Sequence, residues 1–245
     1  MDEKRHFTLL EGRKVHFTLI DPDKQPLDKA FLLAEVAARS GTDAFLIGGS
    51  SSQAVESLDA LCKGLKIRFN LPVILFPATH AQISRHADMI FFMMLMNSED
   101  KRFIIDEQFS GAPLVHDYNI EPLPTGYIIF DSGNFCMCAH FGKANKVPMD
   151  HPEIAVNYAL VAKYFGMDYV YLEAGSGAKY PVSNEAISAV KKTTGLKVIV
   201  GGGIRDEKTA LEKLKAGADI IVTGTINEGN EKKMAEIIQA IKKYG

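Results

Sequence analysis

Eight short runs of apolar and β-branched residues alternate with helix-patterned segments along the whole chain, and this alternation constrains the fold more than any other feature. The runs are VHFTLI (Val15 to Ile20), DAFLI (Asp43 to Ile47), PVILF (Pro72 to Phe76), DMIFFM (Asp88 to Met93), YIIF (Tyr127 to Phe130), DYVYLE (Asp168 to Glu173), KVIVG (Lys197 to Gly201) and DIIVTG (Asp219 to Gly224). Between them, Leu27 to Arg39, Glu153 to Phe165, Asn184 to Thr193 and Asp206 to Lys215 space apolar residues three and four apart, as one helix face requires. Gly41, Gly166, Gly195 and Gly217 stand where such helices should stop. Repeated βα units imply a parallel sheet. Eight of them favour closure into a single (β/α)8 TIM barrel of the α/β class, and 245 residues suit one such domain, which runs to about 200–250. The stretch from Thr79 to Ala87 is short for a full helix and is expected to be a loop.

Charge narrows the partners. With 28 basic against 30 acidic side chains the formal net charge is -2, so no broad field attracts nucleic acid or an anionic bilayer, and an anionic ligand must be held by a local site. MIFFMMLM (Met89 to Met96) is far short of the ~20 residues a membrane-spanning helix needs and reads as a buried strand, so no transmembrane segment is expected. The charged start, MDEKRHFTLLEGRK, lacks the apolar core of a secretory signal, which predicts a cytoplasmic location. Cys62, Cys136 and Cys138 are an odd count with no second pair to complete a zinc shell, so reduced, partly buried thiols are expected. Apolar helix faces around a barrel often serve subunit contacts, which predicts a homo-oligomer.

In a barrel, chemistry belongs at the carboxyl ends of the strands. GGGI (Gly201 to Ile204) follows the seventh run and TGT (Thr223 to Thr225) ends the eighth. Glycines there let backbone N–H groups close on a phosphate dianion without interference from Cβ atoms. After the sixth run, YLEAGSGAKYPV (Tyr171 to Val182) puts Tyr171 and Glu173 on one side of the strand. Glu173 can accept hydrogen bonds from ligand hydroxyls or act as a base, while Gly175, Ser176 and Gly177 extend the cradle. IDPDK (Ile20 to Lys24) sets Asp21 and Asp23 at the mouth after the first run, with the hydroxyls of IGGSS (Ile47 to Ser51) after the second. Carboxylate, hydroxyl and water suit Mg²⁺, and a D-P turn with Asp capping the next helix is the equal alternative. Phe45, Phe76, Ile90, Phe92 and Met94 are candidates for an apolar groove, although inward barrel positions are normally filled by core packing.

Taken in order, VHFTLIDPDK, TDAFLIGGSS, PVILFPA, YLEAGSGAKYPV, VIVGGGIR and DIIVTGT resemble the geranylgeranylglyceryl phosphate synthase family, also called the GGGP/heptaprenylglyceryl phosphate synthases. The resemblance covers nearly the whole chain. It implies a Mg²⁺-dependent (β/α)8 prenyltransferase that joins sn-glycerol 1-phosphate to a polyprenyl diphosphate, commonly geranylgeranyl diphosphate, in an ether-lipid step of phospholipid biosynthesis. Matched motif by motif, it implies Mg²⁺ ligands at Asp21 and Ser50. It implies a glycerol-phosphate site at Tyr171, Leu172, Glu173, Ala174, Gly175, Ser176 and Gly177, with Gly202, Gly203, Gly224 and Thr225. Glu173 is then the expected catalytic residue. FPATHAQIS (Phe76 to Ser84) and the stretch from Asp131 to Asp150, which carries Cys136 and Cys138, depart from the pattern. The glycine turns also suit a flavin phosphate, so an FMN-dependent enzyme, another phosphate-binding barrel, or a non-catalytic sensor of a phosphorylated metabolite are the alternatives.

Overall fold

A computed structural model describes residues 13–48, 55–224, 226 and 229–245. Within them, eight parallel strands pair in chain order and close on themselves: β1 (Val15–Ile20), β2 (Ala44–Ile47), β3 (Val73–Leu75), β4 (Met89–Leu95), β5 (Glu121–Ile129), β6 (Tyr169–Glu173), β7 (Lys197–Gly201) and β8 (Ile220–Thr223), which pairs back onto β1. The helices are α1 (Leu27–Ser40), α2 (Val55–Arg68), α3 (Glu107–Asp117), the short α4 (Met137–Phe141), α5 (Pro152–Tyr164), α6 (Asn184–Thr194), α7 (Glu207–Ala216) and α8 (Glu231–Tyr244). Ser183, Asp206 and Asn230 cap α6, α7 and α8 by accepting a backbone N–H three residues on. No described helix is long and apolar enough to cross a membrane.

All eight expected strands form, and the connection between β3 and β4 contains turns and no helix. Most boundaries move by one or two residues, and one moves much further. β5 begins at Glu121, well before the run that marks it in the sequence, because Pro122 and Pro124 disguise its first half. Both prolines are tolerated for a local reason. Pro124 O accepts the Asp168 N–H on the side facing β6, and pairing with β6 starts only at Thr125 opposite Tyr169. The missing N–H groups face a place where β6 has not begun, so no ladder bond is lost.

Alternation along the strands separates two apolar layers. Phe17, Leu46, Ile74, Phe91, Tyr127, Tyr171, Ile199 and Val222 fill the barrel. Outside the sheet, Leu172, Val198, Val200 and Ile221 pack beneath α5 to α8, while Ile20, Phe45, Ile47 and Val73 pack beneath α1 and α2. The amino-terminal end of the barrel is pinned by two buried carboxylates. Asp43 accepts from Lys242 Nζ at 2.7 Å and from the His16 N–H at 2.9 Å. Asp219 accepts from Lys191 Nζ at 2.6 Å, the Val198 N–H at 2.8 Å and Lys14 Nζ at 3.1 Å.

Candidate active site

One cleft of about 660 Å³ opens at the carboxyl end of the strands. Its floor is aromatic. Phe76 stacks on Tyr171 with ring centroids 5.3 Å apart, and Tyr127 and Phe91 meet Tyr171 edge-on at 5.3 and 6.2 Å. On one side the lining is backbone-rich and polar: Asp21, Lys24, Glu173, Gly175, Ser176, Gly177, Gly202, Gly203, Arg205 and Gly224. On the other it is mainly apolar, with Ile83, Ile90, Phe92, Met93, Phe103 and Phe141, and it also takes in Thr79, His80, Glu107 and Gln108.

Glu173 ends β6 and turns into the barrel with Tyr171, as strand alternation requires. Its Oε1 accepts the Gly175 N–H at 2.5 Å, and Tyr171 hydrogen-bonds the same carboxyl. Burial pushes the Glu173 pKa up to about 7, the Gly175 N–H pulls the other way, and the nearby Cys136 thiol adds to the rise. A carboxyl poised there can take a proton from a hydroxyl at neutral pH. Gly202, with φ +81°, permits this packing: a Cβ on it would stand 2.6 Å from Glu173 Oε1.

Asp21 is buried, and its Oδ1 accepts the Asp23 N–H at 3.0 Å. Lys24 Nζ lies 3.7 Å from Asp21 Oδ2 and 3.5 Å from Ser176 Oγ, so it reaches from the first strand's loop to the sixth's. Arg205 Nη2 donates to Ala178 O at 2.8 Å and ties the 175–178 turn to the β7 loop. Among the described residues no three His, Cys, Asp or Glu side chains gather as a metal cage. The buried Asp21 carboxylate at the mouth of this cleft fits Mg²⁺, which keeps water and phosphate oxygens as most of its ligands.

The structure brings Asp21, Tyr171, Glu173, Gly175, Ser176, Gly177, Gly202, Gly203 and Gly224 to one cleft. Leu172 and Ala174 do not line it; they point into the layer between sheet and helices. Asp23 is exposed, does not line the cleft, and donates its backbone N–H to Asp21. Ser50 and Thr225 lie outside the described residues. Of the apolar candidates, Phe76, Ile90 and Phe92 line the cleft, whereas Phe45 packs on Phe69 in the outer core and Met94 is not in the lining. Lys24 and Arg205 were not among the expected site residues, although Lys24 closes IDPDK and Arg205 directly follows GGGI. His16 was not among them either; burial and Lys242 hold it neutral, with its pKa lowered to about 3. The His16 ring bridges Thr42 Oγ1 at 3.0 Å and Thr223 Oγ1 at 2.9 Å, fixing β8 one residue before Gly224.

Fold and cleft define a class: a (β/α)8 barrel with a glycine-rich cradle after β6, β7 and β8 and an apolar arm beside it. The PcrB family profile matches residues 8–243, and the chain belongs to that family. It is 49% identical over 233 residues to a geranylgeranylglyceryl phosphate synthase of Methanococcoides burtonii, covering 94% of both chains. It is 46% identical to the enzyme of that name in Sulfurisphaera tokodaii, covering 95% of each. Among solved structures it superposes, with a TM-score of 0.91 and 38% identity, on (S)-3-O-geranylgeranylglyceryl phosphate synthase of Thermoplasma acidophilum in complex with its substrate sn-glycerol-1-phosphate. That match covers 97% of this chain and 96% of the other. The family indicated by the motifs is therefore the family found.

Proposed function

We propose that the chain is a Mg²⁺-dependent prenyltransferase that joins the 3-hydroxyl of sn-glycerol 1-phosphate to a polyprenyl diphosphate, with geranylgeranyl diphosphate the first choice. The product is an ether-linked precursor of membrane phospholipid. The observation that carries this reading is the continuity of the polar cradle with the apolar arm in a single cleft. A phosphate needs only the first, and a hydrocarbon tail needs only the second. A flavin enzyme or a phospho-metabolite sensor would leave the apolar arm and Asp21 without a task. The relatives' shared name and the substrate held by the Thermoplasma acidophilum enzyme support the same reading.

In this mechanism the N–H groups of the 175–177 and 202–203 turns and of Gly224 cradle the glycerol phosphate, with Lys24 and Arg205 supplying positive charge. Glu173 and Tyr171 then grip the glycerol hydroxyls. The 3-hydroxyl oxygen forms a bond to C1 of the prenyl group as the C1–O bond to diphosphate breaks, and Glu173 takes the hydroxyl proton. Holding both reactants in one cleft removes much of the entropic barrier. Asp21 would hold Mg²⁺ together with the donor's diphosphate, and when bound the ion would neutralise charge on that leaving group.

The deciding experiment is an assay with sn-glycerol 1-phosphate, Mg²⁺ and prenyl diphosphates of increasing length, reading ether product and released diphosphate, with the 3-phosphate enantiomer as control. Ether product that requires Mg²⁺ and the 1-phosphate is expected. Binding of glycerol phosphate without product from any donor would overturn the transferase reading and leave only the phosphate site.

A further inference from the structure

Cys136 and Cys138 have no part in the chemistry above, yet they adjoin its center. Their sulfurs are 2.9 Å apart, and Cys138 lines the cleft. Cys136 is held in extended backbone just ahead of α4, and Cys138 lies in the first turn of that helix, so the C-x-C segment folds its two side chains together. Both are free thiols. A disulfide needs the sulfurs at about 2.05 Å, so closure asks for less than about 1 Å of movement. Cys136 Sγ also supports the site directly: a Cβ on Gly175, whose φ is +99°, would stand 2.7 Å from it, so the sulfur fills the space beneath this glycine. Gly175 in turn donates its N–H to Glu173.

We propose that Cys136 and Cys138 are a reversible dithiol modification site in the wall of the cleft, where a peroxide converts the two thiols into one disulfide and so loosens the 173–177 turn that holds glycerol 1-phosphate. The consequence for catalysis rests on the transferase reading; the covalent chemistry does not. Cys136 is the attacking sulfur. Its hydrogen bond from Cys138 lowers its pKa to about 6 despite partial burial, while that bond, burial and the facing Glu173 raise Cys138. The Cys136 thiolate attacks one peroxide oxygen, the O–O bond breaks, and Cys136 becomes a sulfenic acid with release of hydroxide. Cys138 sulfur then attacks Cys136 sulfur, the S–O bond breaks, and the departing hydroxide leaves as water with the Cys138 proton. Two thiols lose two electrons and two protons, and one peroxide becomes two waters. A small thiol reverses the bond by exchange. Cys62 is an internal control, buried in the outer core with its pKa pushed up to about 12.

The test treats the reduced, full-length protein, its basal activity already measured, with hydrogen peroxide and maps its thiols by peptide mass spectrometry. A Cys136–Cys138 linked peptide with Cys62 still free is expected, along with a fall of about tenfold in kcat/KM that a thiol reductant restores. Saturating sn-glycerol 1-phosphate should slow the modification. The Cys136→Ser/Cys138→Ser double variant, compared with its own untreated sample, should show no peroxide-dependent loss. Absence of the linked peptide overturns the proposal, and so does a linked protein with unchanged kcat/KM. The peptide map on the unsubstituted protein decides the chemistry even where the double variant fails to fold. A chain that transfers no prenyl group but still forms the linkage refutes the transferase reading alone, and loss of glycerol-phosphate affinity on linkage then carries the functional claim.

Discussion

At the amino-terminal end of the barrel Asp219 meets two lysines and a backbone N–H, whereas at the carboxyl end the groups acting on Glu173 are Gly175, Tyr171 and Cys136, none of them a cation. Burial by itself would raise Asp219, but Lys191, the Val198 N–H and Lys14 outweigh it and hold this carboxyl below its usual 3.8. Burial is left to win at Glu173 and carries it from 4.5 to about 7. Two buried carboxylates on one sheet thus do opposite work. One is compensated and locks β7 to β8, while the other is left ready to accept a proton at the cost of stability.

The contrast is broken most severely by Glu173→Gln, which removes the proposed base and should lower kcat by about 10³-fold while glycerol-phosphate affinity changes little. Steady-state kinetics with each substrate varied in turn separates the two effects. Gly202→Ala attacks the same carboxyl indirectly. Its Cβ would crowd Glu173 Oε1 and the Gly175 backbone, so a loss in kcat of about 10²-fold is expected with a folded barrel by circular dichroism. At the other end, Asp219→Asn should cost about 2 kcal/mol in urea unfolding and leave kcat unchanged, because it removes the negative charge that two lysine ammonium groups share without touching the cleft. Its cost should depend on pH. The folded-state pKa of Asp219 lies below the unfolded value, so its stabilisation is present above 3.8 and is lost as pH falls through the lower folded value.

The smallest effect has the opposite sign. Because the pKa of Glu173 is raised on folding, ionising it destabilises the fold; the penalty is absent below 4.5, grows through the interval and is complete above about 7. Glu173→Gln should therefore raise Tm at pH 8 by roughly 4 °C and leave it nearly unchanged at pH 4. Equal shifts at both pH values would show that the carboxyl is not strained by burial.

Much of this architecture is visible in the sequence because it is local. Each strand is a contiguous apolar run, each cradle turn a contiguous glycine motif, and the missing helix between β3 and β4 a plain shortage of residues. What stays hidden depends on closure. Only when the barrel closes does Phe76 face the cleft while Phe45 turns toward Phe69. Leu172 and Ala174 belong to the motif as a string, but alternation sends them outward between Tyr171, Glu173 and Gly175. The two prolines of β5 mask a strand because composition cannot show that their side of the ladder is vacant. His16 is one polar residue in an apolar run, and only the return of β8 brings Thr223 to its ring.

The bare β3–β4 connection has a further meaning. At β4 the cleft is lined from both faces of one strand, by Phe91 and Met93 from within and by Ile90 and Phe92 from the side that a crossover helix would cover elsewhere. On the proposed function, a hydrocarbon tail lying there would occupy the place of a secondary-structure element. Loading of such a substrate would then resemble the last step of assembling a hydrophobic core, and calorimetry should record it as a negative heat-capacity change that grows with every methylene the tail adds. The lipid would serve, for one turnover, as a borrowed piece of the protein's own interior.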